Sequence, residues 1–115
     1  MKYILLFFAL IAPCHASDWE QSDTVREAVY LAFHCADWSQ TLYISEHNVV
    51  EKNIYLGRHP VRGDINKYFI ATGLLHAGVS YVLPPEYRKA FQFVTIGIEA
   101  GTVARNYRIG IGLSF

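Results

Sequence analysis

Four residues of this sequence could do chemistry together: His34, Asp37, His76 and Glu99. Histidine nitrogens and carboxylate oxygens bind divalent metals between the helices of a bundle, and a buried histidine beside a carboxylate can act as an acid/base pair. His34 and Asp37 are three residues apart, which places them on one face of a helix. These residues define one hypothesis, an envelope enzyme that uses a divalent metal or an acid/base pair.

The same residues also have a non-catalytic interpretation. The sequence contains neither the Glu-x-x-His pattern of di-iron bundles nor the His-Glu-x-x-His pattern of zinc proteases. His34 and Asp37 would then lie with Thr41 on a solvated face, and Glu99 would pair with a basic neighbour. The basic neighbours in question are Arg88, Arg105 and His76. We favour this interpretation, which gives the chain no catalytic residue and no cofactor.

The stretch 88–106 indicates what kind of element carries Glu99. At 100° per residue its polar side chains fall in one narrow stripe: Arg88, Gln92, Thr95, Glu99, Thr102 and Asn106. The rest of the circumference is apolar or small. Other helices or lipid must cover most of such a helix, and its stripe must meet water, a cavity or polar partners.

Residues 24–45 are predicted to form the helix that carries His34 on a polar face. Thr24 and Glu27 fit a capping box at its start. Three alanines recur every four residues along its apolar face: Ala28, Ala32 and Ala36. Cys35 lies on this alanine ridge and is expected to be a small buried thiol.

Two further helices are predicted over residues 65–83 and 85–106. Leu83-Pro84-Pro85 separates them, because proline ends one helix and suits the first turn of the next. Gly97-x-x-x-Gly101 in the last helix is interpreted as a packing motif. The packed helices would place their apolar sides against one another.

These segments together predict an all-α fold, an antiparallel three-helix bundle that forms a single domain over residues 17–115. Residues 46–63 contain the Asn, Gly and Pro residues typical of a loop. Residues 108–115 alternate between apolar and small residues, which is typical of an extended segment. We expect this short C-terminal tail to lie on the bundle.

Residues 1–16 have the features of a secretory signal peptide. Lys2 supplies the positive charge, residues 3–12 supply the apolar stretch, and Cys14-His15-Ala16 is a cleavage site of the small-x-small type. We therefore expect an exported protein of the cell envelope, located in the periplasm or associated with a membrane. An uncleaved anchor and lipidation at Cys14 are the alternatives.

The charge balance argues against nucleic acid as a partner. The chain has ten basic and ten acidic residues, and loss of Lys2 with the signal leaves nine basic and ten acidic residues. The sequence contains no basic patch of the kind that binds nucleic acid. Cys35 would be the only cysteine after cleavage, which excludes an intrachain disulfide. A membrane or an envelope protein is the expected partner, and the sequence leaves the oligomeric state open.

Membrane association itself has arguments on both sides. Small residues four apart allow close helix packing in lipid, and tyrosines bracket the apolar parts of the second and third helices. However, the charge-free stretch 69–83 reaches only about 22 Å, less than the ~30 Å hydrocarbon core of a bilayer. A soluble or peripheral bundle and a helical hairpin partly embedded in a bilayer both fit the sequence.

Polar residues also form a longer pattern along the chain. It reads Asp37-x-x-Gln40-Thr41, then Glu51-x-Asn53-x-x-Leu56-Gly57, then Leu83-Pro84-Pro85, and then Gln92, Glu99 and Asn106. This pattern resembles a family of small, signal-bearing proteins of proteobacteria and their phages that has no assigned function. The resemblance implies only a shared structural polar set. We expect two of its members, Glu51 and Asn53, to tether the loop to the bundle.

The sequence therefore favours a non-enzymatic protein of a bacterial or phage cell envelope. We expect a compact helical module that docks on a membrane or on a protein partner. The envelope enzyme that uses His34, Asp37, His76 and Glu99 is the alternative.

Overall fold

The computed structural model describes residues 18–47 and 61–115 and places three helices in them. Helix α1 comprises Gln21–Glu46, α2 comprises Arg62–Val82 and α3 comprises Pro85–Arg108. No strand occurs within these two ranges. The prediction of an all-α three-helix bundle is confirmed, and the helix ends differ from the predicted ones by at most three residues.

Helices α1 and α3 run in the same direction, and α2 runs antiparallel to both. Asp23 near the start of α1 pairs with Arg88 near the start of α3, and Gln40 in α1 accepts a hydrogen bond from Asn106 near the end of α3. Arg88 also donates to the carbonyl oxygen of Ser80 near the end of α2. The end of α2 therefore meets the starts of the other two helices.

Helix α1 begins one turn earlier than its predicted capping box. Glu20 is the N-cap, and its side chain accepts a hydrogen bond from the backbone N–H of Asp23. The Asp23 carboxylate in turn accepts the backbone N–H of Glu20 at 2.9 Å. The prediction of a Thr24–Glu27 box was wrong, and Glu27 lies in the bundle interior instead.

The apolar core is small and lies where the end of α1 meets the start of α2. Leu42, Ile65 and Phe69 are buried there, and Trp38 and Tyr68 pack against them. The rest of the interior is built mainly from polar side chains, which must satisfy one another because they have left water.

The tail after α3 lies on the bundle, as predicted, and forms neither helix nor strand. Gly110 has a φ of 89°, which glycine adopts without strain, and it turns the chain away from the helix axis. A Cβ atom at Gly112 would lie 3.1 Å from the ring of Tyr43, so the tail approaches α1 closely there. The backbone N–H of Ser114 donates to Ser39 Oγ at 2.8 Å.

The faces of α1 are the reverse of the predicted arrangement. Val25 and Val29 are 56% and 39% exposed, although they belong to the face that was predicted to pack on the other helices. Glu27 and His34, which belong to the opposite side, are buried. The polar side faces inward because α2 and α3 present polar partners to it, as described below.

Two further packing predictions were wrong for the same reason. Cys35 is exposed rather than buried, since the alanine ridge faces outward. Gly97 and Gly101 are also exposed, and a Cβ atom at either position would meet nothing within 4 Å. These small residues therefore do not mediate packing within the described chain.

Candidate functional site

Arg88 connects all three helices at one end of the interior. Its side chain is completely buried, and Nη1 donates to Asp23 Oδ2 at 2.9 Å. Nε donates to the carbonyl oxygen of Ser80 at 2.7 Å, and Nη2 donates to that of Leu83 at 3.0 Å. The guanidinium also lies 4.9 Å from the ring centre of Trp19. Arg88 thereby fixes the connection between α2 and α3 against the start of α1.

Glu27 lies next to this arginine and accepts hydrogen bonds from both other helices. Its Oε1 accepts His76 Nδ1–H at 2.6 Å. Its Oε2 accepts the hydroxyl of Ser80 at 3.0 Å and the amide Nε2 of Gln92 at 3.1 Å. Gln92 Oε1 in turn accepts Arg26 Nε–H at 2.8 Å. The Glu27 carboxylate is therefore well satisfied despite its burial.

Tyr30 joins this group to a second histidine. Its ring stacks on the imidazole of His76, with centroids 3.4 Å apart and planes 7° apart. The ring of Phe91 also stacks on His76, at 4.6 Å. On the next turn, Tyr30 stacks on His34 at 5.3 Å, and its hydroxyl lies 3.4 Å from His34 Nδ1. The two imidazoles thus share one aromatic neighbour.

His34 and Glu99 form a second histidine–carboxylate pair, with fewer partners. His34 Nε2–H donates to the carbonyl oxygen of Phe69 at 2.9 Å, which leaves Nδ1 to face α3. Glu99 Oε2 lies 3.5 Å from this Nδ1. The same oxygen is buried and has no hydrogen-bond partner among the described residues. We call His34 and Glu99 the open pair, and Glu27 and His76 the satisfied pair.

The neighbours of the buried carboxylates hold them in the charged form. Burial alone would raise the pKa of Asp23, but the backbone N–H of Glu20 and the guanidinium of Arg88 outweigh it and lower the pKa. Burial likewise opposes ionisation of Glu27. Hydrogen bonds from His76 and other donors outweigh this effect and lower the pKa of Glu27 as well.

In the open pair, the pKa of the histidine is shifted upward rather than downward. Burial would lower the pKa of His34, but the Glu99 carboxylate and the carbonyl oxygen of Phe69 outweigh it and raise the pKa above the usual 6.5. The pKa of Tyr30 is raised by burial and by the charges of Glu99 and Glu27, so its phenol stays protonated. The open pair therefore favours a protonated imidazole.

A third polar contact lies at the other end of α3. Gln40 Nε2 donates to the carbonyl oxygen of Val103 at 3.0 Å, and Gln40 Oε1 accepts Asn106 Nδ2–H at 3.1 Å. Thr41 Oγ1 donates to the carbonyl oxygen of Asp37 within the same helix, at 2.9 Å. Gln40 and Asn106, two members of the shared polar set, thus bind each other.

Two other members of that set, Glu51 and Asn53, lie outside the described residues. Their expected role in tethering the loop stays a prediction.

The structure divides the four residues of the metal hypothesis. His34 and Glu99 lie together, His76 is bound to Glu27, and Asp37 is half-buried and adds its charge to the surroundings of His34. Within residues 18–47 and 61–115, no three His, Cys, Asp or Glu side chains are grouped so that they could hold a metal.

The solvated-face interpretation also needs correction. His34 and Thr41 are only 5% and 3% exposed, because their side of α1 packs on the neighbouring helices. Glu99 pairs with His34 rather than with Arg88, Arg105 or His76. Arg88 is engaged by Asp23 instead.

Sequence reasoning did not identify three important residues of this interior: Asp23, Glu27 and Tyr30. A signal for them was present, because Asp23, Glu27, Tyr30 and His34 follow one another at intervals of four, three and four residues. That spacing makes one helical stripe, which matches the stripe at 88–106. Two polar stripes of this kind predict a polar interface between α1 and α3.

The outer surface has the opposite character. In the ranges 28–45, 68–85 and 90–104, the exposed residues are apolar or small apart from one tyrosine, and none carries a formal charge. We call these exposed residues of the three helices the belt: Ala28, Val29, Leu31, Ala32, Cys35, Ile70, Ala71, Leu74, Leu75, Gly78, Tyr81, Ala90, Phe93, Val94, Gly97, Ile98, Gly101 and Ala104. A continuous apolar surface of this kind marks an interaction site.

In the part of the chain that the structure describes, none of the helices has both the length and the apolar character that crossing a membrane requires.

Comparisons of the chain with models of protein families, with curated proteins and with solved structures find no match. The resemblance to the envelope protein family therefore stays a prediction.

Proposed function

We propose that this protein is a non-enzymatic module of the cell envelope that is embedded in a membrane through its belt. The observation that carries the proposal is the inverted arrangement of the bundle: charged side chains such as Glu27 and Arg88 are buried, while side chains such as Leu74 and Ile98 are 71% and 61% exposed. Exposing this much apolar surface to water is unfavourable, whereas acyl chains can cover it.

The distribution of the belt supports lipid rather than a protein partner. A protein partner would cover one side of the bundle, but exposed apolar residues occur on all three helices. The interior offers most buried polar groups their partners without water, as the contacts of Arg88 and Glu27 illustrate. Glu99 Oε2 is the exception among the described side chains. Such internal satisfaction is what a polar interior needs in an apolar medium.

The dimensions of the belt support partial insertion. The range 90–104, where no exposed residue carries a formal charge, extends about 22 Å along α3, less than the ~30 Å hydrocarbon core of a bilayer. Tyr81 and Tyr87 lie near one edge of the belt and Tyr107 near the other, and all three are exposed. Tyrosine favours the boundary between acyl chains and water. We therefore expect the belt to fill part of the hydrocarbon layer.

The N-terminal sequence supports the location in the envelope. Residues 1–16 have the charge, apolar stretch and small residues of a secretory signal, as described above. Export would carry the bundle across the cytoplasmic membrane. It would then meet a membrane of the envelope from the far side.

Flotation with lipid vesicles tests the proposal. The full chain should float with the vesicles and should stay with them after an alkaline carbonate wash. The double variant Leu74→Glu, Ile98→Glu should float much less, because two charges would then enter the acyl region. Both side chains are exposed, so the substitutions remove little packing and the helix content should be unchanged.

Val61→Glu is the matched control, because Val61 is 62% exposed but lies outside the belt. It should float like the wild type. Release of the wild type by carbonate, or flotation of the double variant at the wild-type level, would contradict the proposal. A water-soluble oligomer of wild-type chains in light scattering would show that other copies cover the belt instead of lipid.

A second candidate function is acid/base chemistry at the open pair. It is favoured by the buried Glu99 Oε2, which has no hydrogen-bond partner among the described residues and lies 3.5 Å from His34 Nδ1. A substrate would have to reach this position. Modification by diethyl pyrocarbonate at His34, absent in His34→Gln, would support access, and an unmodified His34 would exclude this function.

A further inference from the structure

A groove of about 600 Å³ lies between α1, α3 and the C-terminal tail. Small side chains create it, because Ala36 on α1 and Ala100 and Ala104 on α3 leave space between the helices. Phe33 and Tyr107 also line it. Its volume falls within the range of roughly 300–1,000 Å³ that is typical of pockets for small ligands.

The lining of the groove fits an apolar occupant. No charged side chain lines it, and its one amide, that of Gln40, already donates to the carbonyl oxygen of Val103 and accepts from Asn106. Ala104 also belongs to the belt, so the groove is continuous with the surface that we assign to the acyl region.

The end of the groove beside the last turn of α3 is positively charged. Arg105 and Arg108 lie in this turn and are exposed. Arg108 comes one turn after Ala104, so the two residues share a side of the helix, whereas Arg105 lies on the far side of α3 from the groove. No carboxylate in the described part of the chain forms an ion pair with Arg108. An apolar groove that ends beside such a cation is complementary to an anionic amphiphile.

We propose that this groove binds one acyl chain of an anionic membrane phospholipid, whose phosphate contacts Arg108. Guanidinium groups recognise phosphate oxygens through charged hydrogen bonds, and the alanines leave room for the chain. The assignment rests on the proposed function, since it takes the ligand from the membrane around the belt. It adds a specific lipid site to a general apolar surface.

Native mass spectrometry of the full chain in dodecylmaltoside micelles tests the assignment. The probes are dipalmitoyl phosphatidylglycerol, dipalmitoyl phosphatidylcholine and palmitate. We expect each chain to retain one phosphatidylglycerol molecule, and to retain phosphatidylcholine about tenfold more weakly, a difference of about 1.4 kcal/mol. Equal binding of palmitate would show that the site takes free fatty acid, and would overturn the assignment to a membrane lipid.

Two variants separate the groove from its charged end. Ala104→Leu should fill the groove and weaken phosphatidylglycerol binding about tenfold, whereas Ala90→Leu, at an exposed position of the same helix outside the groove, should bind like the wild type. Arg108→Gln should bind the two phospholipids equally, whereas Arg105→Gln, on the far side of the helix, should keep the wild-type preference. Arg108 is exposed, so Arg108→Gln is informative even where Ala104→Leu does not fold.

Three results would overturn the assignment: a wild type that retains no lipid, an Ala104→Leu variant that retains as much as the wild type, or a dimer that Ala104→Leu dissociates. The last result would show that a second copy occupies the groove. A chain that floats with vesicles but retains no lipid in micelles would contradict only the groove. A chain that retains one lipid but does not float would contradict only the embedding of the belt.

Discussion

The satisfied pair and the open pair lie two turns apart along α1, and they differ in how their carboxylates are bound. Glu27 accepts hydrogen bonds from His76, Ser80 and Gln92, at 2.6, 3.0 and 3.1 Å. Glu99 lies 3.5 Å from His34 Nδ1, and its Oε2 has no hydrogen-bond partner among the described residues. The same two residue types therefore stabilise the bundle at one position and leave a buried charge poorly bound at the other.

The difference comes from the neighbouring helices. Beside Glu27, the end of α2 supplies the hydroxyl of Ser80, and the stripe of α3 supplies the amide of Gln92. Around His34, the hydroxyl of Thr72 lies 3.2 Å from Nε2, the nitrogen that does not face Glu99, and it donates to the carbonyl oxygen of Tyr68 at 2.8 Å. A buried ion pair contributes to stability only when its remaining lone pairs are satisfied. Substitutions in the two pairs should therefore differ in size.

The largest effect is expected at Arg88, which anchors the satisfied end of the interior. Arg88→Met should lower the free energy of unfolding by about 3–5 kcal/mol, because it removes the buried cation from Asp23 and the donor from the carbonyl oxygens of Ser80 and Leu83. Arg26, which also pairs with Asp23, remains in place. Chemical unfolding in detergent micelles, followed by circular dichroism, measures the change. Arg105→Met is the matched control on the same helix and should stay within about 0.5 kcal/mol of the wild type. Equal effects of the two substitutions would contradict the described role of Arg88.

A smaller loss is expected at Glu27. Glu27→Gln should lower the free energy of unfolding by about 2 kcal/mol, because an amide cannot accept all the hydrogen bonds of the carboxylate and its NH₂ group meets other donors. The same unfolding experiment applies, with Glu46→Gln as the exposed control. A Glu27→Gln variant as stable as the wild type would show that the satisfied pair adds nothing to stability.

The positions of the helices could be predicted from the sequence, but the direction in which their faces point could not. The three helices followed from the prolines at 84 and 85 and from the stripe at 88–106, because periodicity and backbone geometry are local properties. The direction in which each face points is not local. In water, a helix with Val25 and Val29 on one side and Glu27 and His34 on the other is expected to bury the valines. The structure buries the polar side instead.

The side chains that pair with His76 and Glu99 could not be predicted from local sequence patterns either. His76 and Glu99 were selected correctly as interior residues of their stripes, but their partners are Glu27, 49 residues away from His76, and His34. Glu27 had been assigned to a helix cap, because the Thr24–Glu27 spacing fits a capping box as well as a stripe. Only the packing of α1 on α2 and α3 decides between these two roles.

The pH dependence of stability should separate the two pairs. The pKa of His34 is raised in the folded state, so its contribution is full below pH 6.5 and declines as the pH rises through the folded value. The pKa of Glu27 is lowered, so its contribution is present above pH 4.5 and is lost as the pH falls through the folded value. Stability should therefore be greatest between these two limits.

Variants assign each limb of this profile. His34→Gln should abolish the alkaline decline and leave the acid decline, whereas Glu27→Gln should reduce the acid decline, part of which persists through Asp23. Unfolding titrations at a series of pH values provide the measurement. An alkaline decline that persists in His34→Gln would refute the assignment to the open pair.

The smallest effect is expected at Glu99. At a pH where His34 is neutral, Glu99→Gln should change the free energy of unfolding by less than about 0.5 kcal/mol, or should raise it, because it removes a charge that is poorly bound. Comparison with Glu27→Gln in the same unfolding experiment gives the difference between the pairs directly. A loss at Glu99 as large as that at Glu27 would show that the two pairs are equivalent.

The central claim is that the apolar outside of the bundle lies in lipid, and Cys35 tests it most directly. Cys35 is exposed and belongs to the belt, and Cys14→Ser makes it the only cysteine of the chain. A nitroxide attached to Cys35 in vesicles should collide more often with oxygen, which concentrates among acyl chains, than with a water-soluble nickel chelate. More frequent collision with the nickel chelate, or protection from both reagents, would contradict the claim.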